Sequence, residues 1–202
     1  MADLLPLFVN LAGRRVVLVG GGPVAAGKLT QLLKAGASVT VVSPEVHADI
    51  ERSGVDIVRR AFEPRDLDDA WLVVAAAPPA VNQAVARAAV PRRVFVNAVD
   101  DPANATAFLS GVVRRDGVTL AISTSGDAPG LAALLREALD ALLPQELGSW
   151  MRESRRLRAG WKREGVPMEQ RKPLLLEALN KLYPGPDTAD ETDGRSLENT
   201  TR

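Results

Sequence analysis

The chain has 202 residues, 46% of them hydrophobic, and 25 basic side chains balance 25 acidic ones. It therefore has enough apolar material for a folded core, and no overall charge to draw it to nucleic acid. Cysteine is absent and His47 is the sole histidine, which excludes disulfides, a thiolate nucleophile, thiolate zinc or protein-held iron–sulfur centres, and any His-rich metal site.

The first structural signal is Val16 to Val19 running into Gly20-Gly21-Gly22. From Val24 the residues suit a helix, with Val24, Lys28, Leu29, Leu32 and Leu33 largely on one face and a stop at Lys34-Ala35-Gly36. Val39 to Val42 then begins a second strand, so the unit is strand, tight turn, helix, strand, with a buried parallel pair. Three more strands are predicted at Val55 to Val58, Trp71 to Ala76 and Arg93 to Val99, with a helix over Val81 to Ala89 and a weakly patterned stretch from Pro44 to Gly54. Strands alternating with helices predict an α/β fold with a Rossmann-type, doubly wound parallel sheet over residues 1–112.

After Asp101 the rhythm changes. Phe108 to Val113 and Val118 to Ser123 form a predicted hairpin around Asp116-Gly117. A helix over Gly130 to Leu142 carries a broad leucine-rich face that needs a covering surface, within the monomer or in a homodimer. Residues 148–183 form a small helical domain broken near Gly165-Val166-Pro167, with eight Lys or Arg against three Glu between Arg152 and Lys172. Residues 184–202 include Asp187, Asp190, Glu191, Asp193 and Glu198 with almost no apolar content, and are expected to be a disordered tail. No apolar run reaches a membrane span, and the start lacks a basic region before its apolar residues, so the protein is expected to be cytoplasmic without a membrane partner.

Gly20, Gly22 and Ala25 satisfy G-x-G-x-x-[G/A] after a strand and at a helix start, the pattern of a dinucleotide turn. Gly20 permits the turn, Gly22 lets a pyrophosphate approach the backbone, and the helix N-terminus supplies free N–H groups. Pro23 has no N–H, so Gly22 and Val24 are the candidate donors. The bland alternative is a tight turn that binds nothing. Lys28 either assists the phosphate or is a solvated helix residue. Ser43-Pro44-Glu45 stands where an Asp or Glu often holds the adenosine ribose. Ser43 or Glu45 is the candidate there, and with no Arg or Lys directly after the strand NAD is preferred to NADP.

Gly20-Gly21-Gly22-Pro23-Val24-Ala25, Phe95-Val96-Asn97-Ala98-Val99-Asp100 and Ala121-Ile122-Ser123-Thr124-Ser125-Gly126 followed by Pro129 together resemble the precorrin-2 dehydrogenase family. That family includes stand-alone enzymes and the amino-terminal module of sirohaem synthase. The resemblance implies oxidation of precorrin-2, a tetrapyrrole, to sirohydrochlorin with NAD⁺, a homodimer formed through a central dimerisation region over 113–147, and in some members insertion of Fe²⁺ as chelation substrate. It places the functional aspartate on Asp100, as general base, as a substrate-orienting group or as an aid to chelation; the alternative is a helix cap or loop residue. Asn97, Ser123, Thr124 and Ser125 are the implied substrate contacts, and loop-fixing hydrogen bonds are their structural alternative. Gly27 departs from the arginine common in the family, and Thr124 from a serine that is phosphorylated in some relatives. A second class of function, a tetrapyrrole carrier or regulatory scaffold that binds NAD without turnover, stays open beside the enzyme.

Overall fold

The computed structural model describes residues 4–182, so the predicted tail at 184–202 lies outside the described residues. The described residues fall into two units. One holds residues up to Val112 together with Ala121–Ala138, and the other holds Val113–Leu120 with the described residues from Leu139 to Leu182.

The first unit is built on five parallel strands: β1 (Arg15–Val19), β2 (Ser38–Val42), β3 (Asp56–Val58), β4 (Leu72–Ala75) and β5 (Phe95–Ala98). They lie in the order β3-β2-β1-β4-β5. Helix α1 (Pro23–Lys34) joins β1 to β2, the short α2 (Ala48–Glu51) precedes β3, and α3 (Pro79–Ala89) joins β4 to β5. Both sheet faces are buried, as a parallel sheet requires. Val16 and Leu18, Val39 and Val41, and Leu72 and Val74 pack with Ala25, Leu29 and Leu32 of α1. Val17 and Val19, Val73 and Ala75, and Val96 and Ala98 pack on the opposite face with Val85, Ala88 and Ala89 of α3. Side chains alternate along a strand, so Asn97, between Val96 and Ala98, belongs to the α1 face.

Several predicted boundaries shift for local reasons. The buried stripe of α1 is Ala25, Ala26, Leu29 and Leu32, which leaves Val24 and Leu33 exposed rather than on the core face. The last strand of the sheet starts at Phe95, not Arg93, because Arg93 takes a left-handed φ of 55° after a 3-10 turn, Val90–Arg92. The weakly patterned stretch after β2 contains α2, whose first turn is capped by His47 Nδ1 accepting from the Asp49 N–H.

The hairpin is β6 (Gly111–Arg115) and β7 (Val118–Ile122). Its Asp116 and Gly117 have φ of 50° and 87°, and positive φ at both central residues is what a type I′ turn needs. The expected strand start at Phe108 is replaced by irregular backbone through Ser110. Helix α4 (Pro129–Leu142) follows the hairpin, then α5 (Leu147–Glu164) and α6 (Met168–Asn180). In the second unit the Arg115 guanidinium donates to the carbonyls of Asp140 and Leu143 and to the Asp140 carboxylate at 2.7 Å. Gly165, at φ 68°, ends α5 in the left-handed conformation that terminates helices.

Between β3 and β4 the chain is fixed by a buried carboxylate. Asp66 sits in a 3-10 turn, Pro64–Leu67, accepts the Glu63 N–H at 2.8 Å, and takes two hydrogen bonds from Arg60 at 2.5 and 2.8 Å. Burial pushes its carboxyl up, and the Arg60 and Glu63 hydrogen bonds with the Arg60 and Arg65 charges pull it down by more, so it lies below the ordinary aspartate range. A carboxyl depressed in the fold contributes stability above its unfolded pKa and loses it as the pH falls through the folded one. Asp66→Asn is expected to cost about 1.5–3 kcal/mol at neutral pH. The gap to the parent should close as the pH falls from about 3.9 downward, which urea melts across that range would show.

Candidate functional site

The strand order reverses between β1 and β4, because β1 leads through α1 to β2 on one side while β4 and β5 lie on the other. Open α/β sheets bind ligands in the crevice at the carboxyl ends of such strands. Here that crevice is lined by the glycine turn. Gly20 has φ +117°, and a Cβ on it would overlap the Ala76 carbonyl at the end of β4. A Cβ on Gly21 would overlap the Glu45 carbonyl in the loop after β2. Gly22 differs from both: nothing lies within 4 Å of its Cβ position.

Gly22 is the N-cap of α1, and Pro23 occupies the first helical position. The first intrahelical bond runs from the Ala26 N–H to the Gly22 carbonyl at 3.0 Å, so the N–H groups of Val24 and Ala25 precede it at the helix end. No acidic residue stands in that first turn. An open glycine, free N–H groups and a positive helix end fit a diphosphate. Ala25, fully buried against the sheet, completes the pattern by letting the helix pack closely.

Ser43, Pro44 and Glu45 form the wall beside this turn. The Ser43 hydroxyl, buried, donates to the Glu45 carbonyl at 2.6 Å, and the His47 N–H donates to the Gly21 carbonyl at 2.7 Å. The loop is thereby tied to the glycine turn through backbone groups. The Ser43 proton is used within the loop, and the side chains of Pro44 and Glu45 are exposed.

A cleft of about 310 Å³ opens at the carboxyl end of β5, lined by Lys28, by residues 97–102 and 108–111, and by parts of 122–136. All of these belong to the first unit. Asp100 lies in it on a left-handed turn, φ 54°, exposed to solvent. The N-cap position weighed for Asp100 is taken instead by Asp101, before the 3-10 turn Pro102–Asn104; Asp101 makes no side-chain bond to the turn's backbone N–H groups, and its carboxylate accepts from the Asn104 side-chain Nδ2 at 2.8 Å. Asn97 is buried. Its Nδ2 donates to the Ala107 carbonyl at 3.0 Å, while its Oδ1 has no hydrogen-bond partner.

The three hydroxyl residues divide. Ser123 and Thr124 line the cleft, and Ser125 is not among its lining residues. Ser123 Oγ accepts from the Ser125 N–H at 3.2 Å and Thr124 Oγ1 from the Ala128 N–H at 3.3 Å, so both also shape the turn that leads into α4. Among the arginines, Arg136 lines the cleft. Arg115 is occupied by Asp140 in the second unit, where Arg156 is likewise paired with Glu153.

Lys28 is the residue that the glycine motif alone does not pick out. Burial pushes its ammonium below the ordinary lysine value, and the Asp100 charge works against that shift. The signal was a lysine beside the apolar stripe of α1, one turn after Ala25.

Backbone geometry separates the glycines experimentally. Gly20→Ala is expected to destabilise the fold by about 2 kcal/mol or more, from a positive φ and a clash with a carbonyl. Gly22→Ala should stay within about 1 kcal/mol of the parent. Denaturant melts of the two variants check this contrast.

Residues 7–111 match the family model NAD_binding_7, described as "Putative NAD(P)-binding". A siroheme synthase of Photorhabdus laumondii is 39% identical over 186 residues, covering 90% of this chain and 40% of that protein. Siroheme synthase 3 of Aeromonas hydrophila is 44% identical over 152 residues, covering 73% of this chain and 32% of that protein. This chain thus spans about two fifths or less of these curated relatives. Among solved structures, the precorrin-2 dehydrogenase SirC superposes with a TM-score of 0.68 at 25% identity, over 87% of this chain and 89% of that one. No helix among the described residues is long and apolar enough to cross a membrane. With more than half its length matched by one model, the chain belongs to this NAD(P)-binding family, and it is similar to siroheme synthases and to precorrin-2 dehydrogenase.

Proposed function

We propose that the chain is a cytoplasmic NAD⁺-dependent dehydrogenase that oxidises precorrin-2 to sirohydrochlorin. The observation that carries this reading is the position of Asp100, a carboxylate exposed in a cleft at the carboxyl end of β5, on the same sheet edge as the open Gly22 turn. The similarity to SirC supports it.

Bound NAD⁺ would supply the hydride acceptor. The chain's own contribution is binding and proton transfer. Gly22, Val24 and the start of α1 hold the diphosphate, and the loop of Ser43, Pro44 and Glu45 bounds the adenosine side. Dehydrogenation removes a hydride and a proton from the macrocycle, and Asp100 receives the proton as general base. Asn97, Ser123 and Thr124 shape the substrate side, with Ser125 setting the turn behind them.

Anaerobic incubation with precorrin-2 and NAD⁺ is expected to yield NADH and sirohydrochlorin in equal amounts. Asp100→Asn should lower kcat by about 10²- to 10⁴-fold with NAD⁺ affinity and melting temperature held, and Gly22→Ala should weaken NAD⁺ binding. Tight binding of both ligands with no NADH would replace the enzyme by the carrier. A parallel arm with sirohydrochlorin and Fe²⁺, corrected for the protein-free rate, tests iron insertion with the metal as substrate.

The homodimer belongs to the same proposal. Leu131, Leu134 and Leu135 on α4 are 51%, 66% and 41% exposed, a row of leucines that a second copy would cover. Sedimentation is expected to give twice the 21.5 kDa chain mass, and Leu134→Glu a monomer.

A further inference from the structure

Four charged side chains line the cleft: Lys28 from α1, Asp100 and Asp101 after β5, and Arg136 from α4. Two are already engaged, Arg136 with Glu137 at 3.0 Å and Asp101 with the Asn104 amide at 2.8 Å. Lys28 makes no salt bridge or hydrogen bond among the described residues; what it feels is the Asp100 charge at longer range. An unpaired ammonium in such a cleft asks for an anion.

We propose that Lys28 is the carboxylate-binding residue of this cleft, seating an acidic arm of the tetrapyrrole. This rests on the functional reading above and adds the group that orients the macrocycle. Phe108, Leu109, Ile122 and Ala133 give the same cleft apolar walls suited to the face of a ring system. A dinucleotide phosphate is the competing anion. The glycine turn, residues 20–24, contributes nothing to the lining of this cleft, and the N–H groups at the start of α1 already serve that charge. Burial makes the Lys28 charge costly to hold, and a carboxylate within hydrogen-bond reach offsets that cost.

Equilibrium binding of sirohydrochlorin, its full methyl ester and NAD⁺ to the whole chain tests this assignment. Lys28→Met is expected to weaken sirohydrochlorin by about tenfold, Lys28→Arg to retain most of the affinity, and NAD⁺ binding to be the same in all three proteins. On the parent chain, without any substitution, the ester should bind more weakly than the acid. Equal binding of acid and ester, parent affinity in Lys28→Met, or a loss that falls on NAD⁺ instead would each overturn the proposal. A parent that binds sirohydrochlorin in this way but forms no NADH from precorrin-2 removes the dehydrogenase reading and leaves Lys28 in place. A parent that forms NADH while Lys28→Met binds as it does removes Lys28 alone.

Discussion

At the carboxyl edge of the sheet three loops meet with no side chain between them. Gly20 lies against the Ala76 carbonyl after β4, and Gly21 against the Glu45 carbonyl after β2. The His47 N–H and Ser43 hydroxyl then lock the second of these approaches. Any Cβ at either glycine would drive the loops apart, and the start of α1 would move with them. The cradle at Gly22 is therefore open because its two neighbours are closed: their backbone contacts fix where the helix begins and hence where its free N–H groups point.

The second construction depends on one polar residue in an otherwise apolar strand. Val74 of β4 pairs in register with Asn97 of β5, on the face that α1 covers. β5 is an edge strand, and its outer edge is occupied by the returning chain. The Thr106 and Ala107 N–H groups donate to the Val96 carbonyl, and the Val96 N–H donates to Thr106 Oγ1. Asn97 ties the same segment down through the Ala107 carbonyl. This strap disposes of an exposed edge, and it also delivers Phe108 and Leu109 to the cleft, where a strand had been expected.

The sheet, its helices and the hairpin turn were legible because each rests on short-range rules: valine-rich strands, glycine where φ is positive, Asp-Gly at a type I′ turn. The glycine turn was legible for the same reason. Residues whose placement depends on tertiary packing were not. Lys28 follows the turn by one helical turn, which suits a phosphate partner equally well on sequence grounds; only the position of β5 shows that it lines the other cavity. Asp100 and Asp101 are neighbours of identical chemistry, and the left-handed turn at Asp100 decides which one takes the N-cap position and which one is presented to solvent. For the hydroxyls of Ser123, Thr124 and Ser125, the motif names the residues but not which of them line the cleft.

The treatment of polar groups differs across this unit in a way that bears on function. At Asp66, between β3 and β4, the buried carboxylate has Arg60 and the Glu63 N–H around it, as a group with a structural task should. In the cleft the pattern is reversed. An unsatisfied buried acceptor such as Asn97 Oδ1 costs about 1–3 kcal/mol, and Lys28 carries its charge against burial. The sequence had ready means to avoid the first cost, since an apolar residue at position 97 would pack on the α1 face like Val74, its in-register neighbour. Lys28 and Asp100 line one cleft, and no ion pair or hydrogen bond among the described residues holds the Lys28 ammonium, which is the signature of a site whose charged groups are completed by a ligand rather than by the fold.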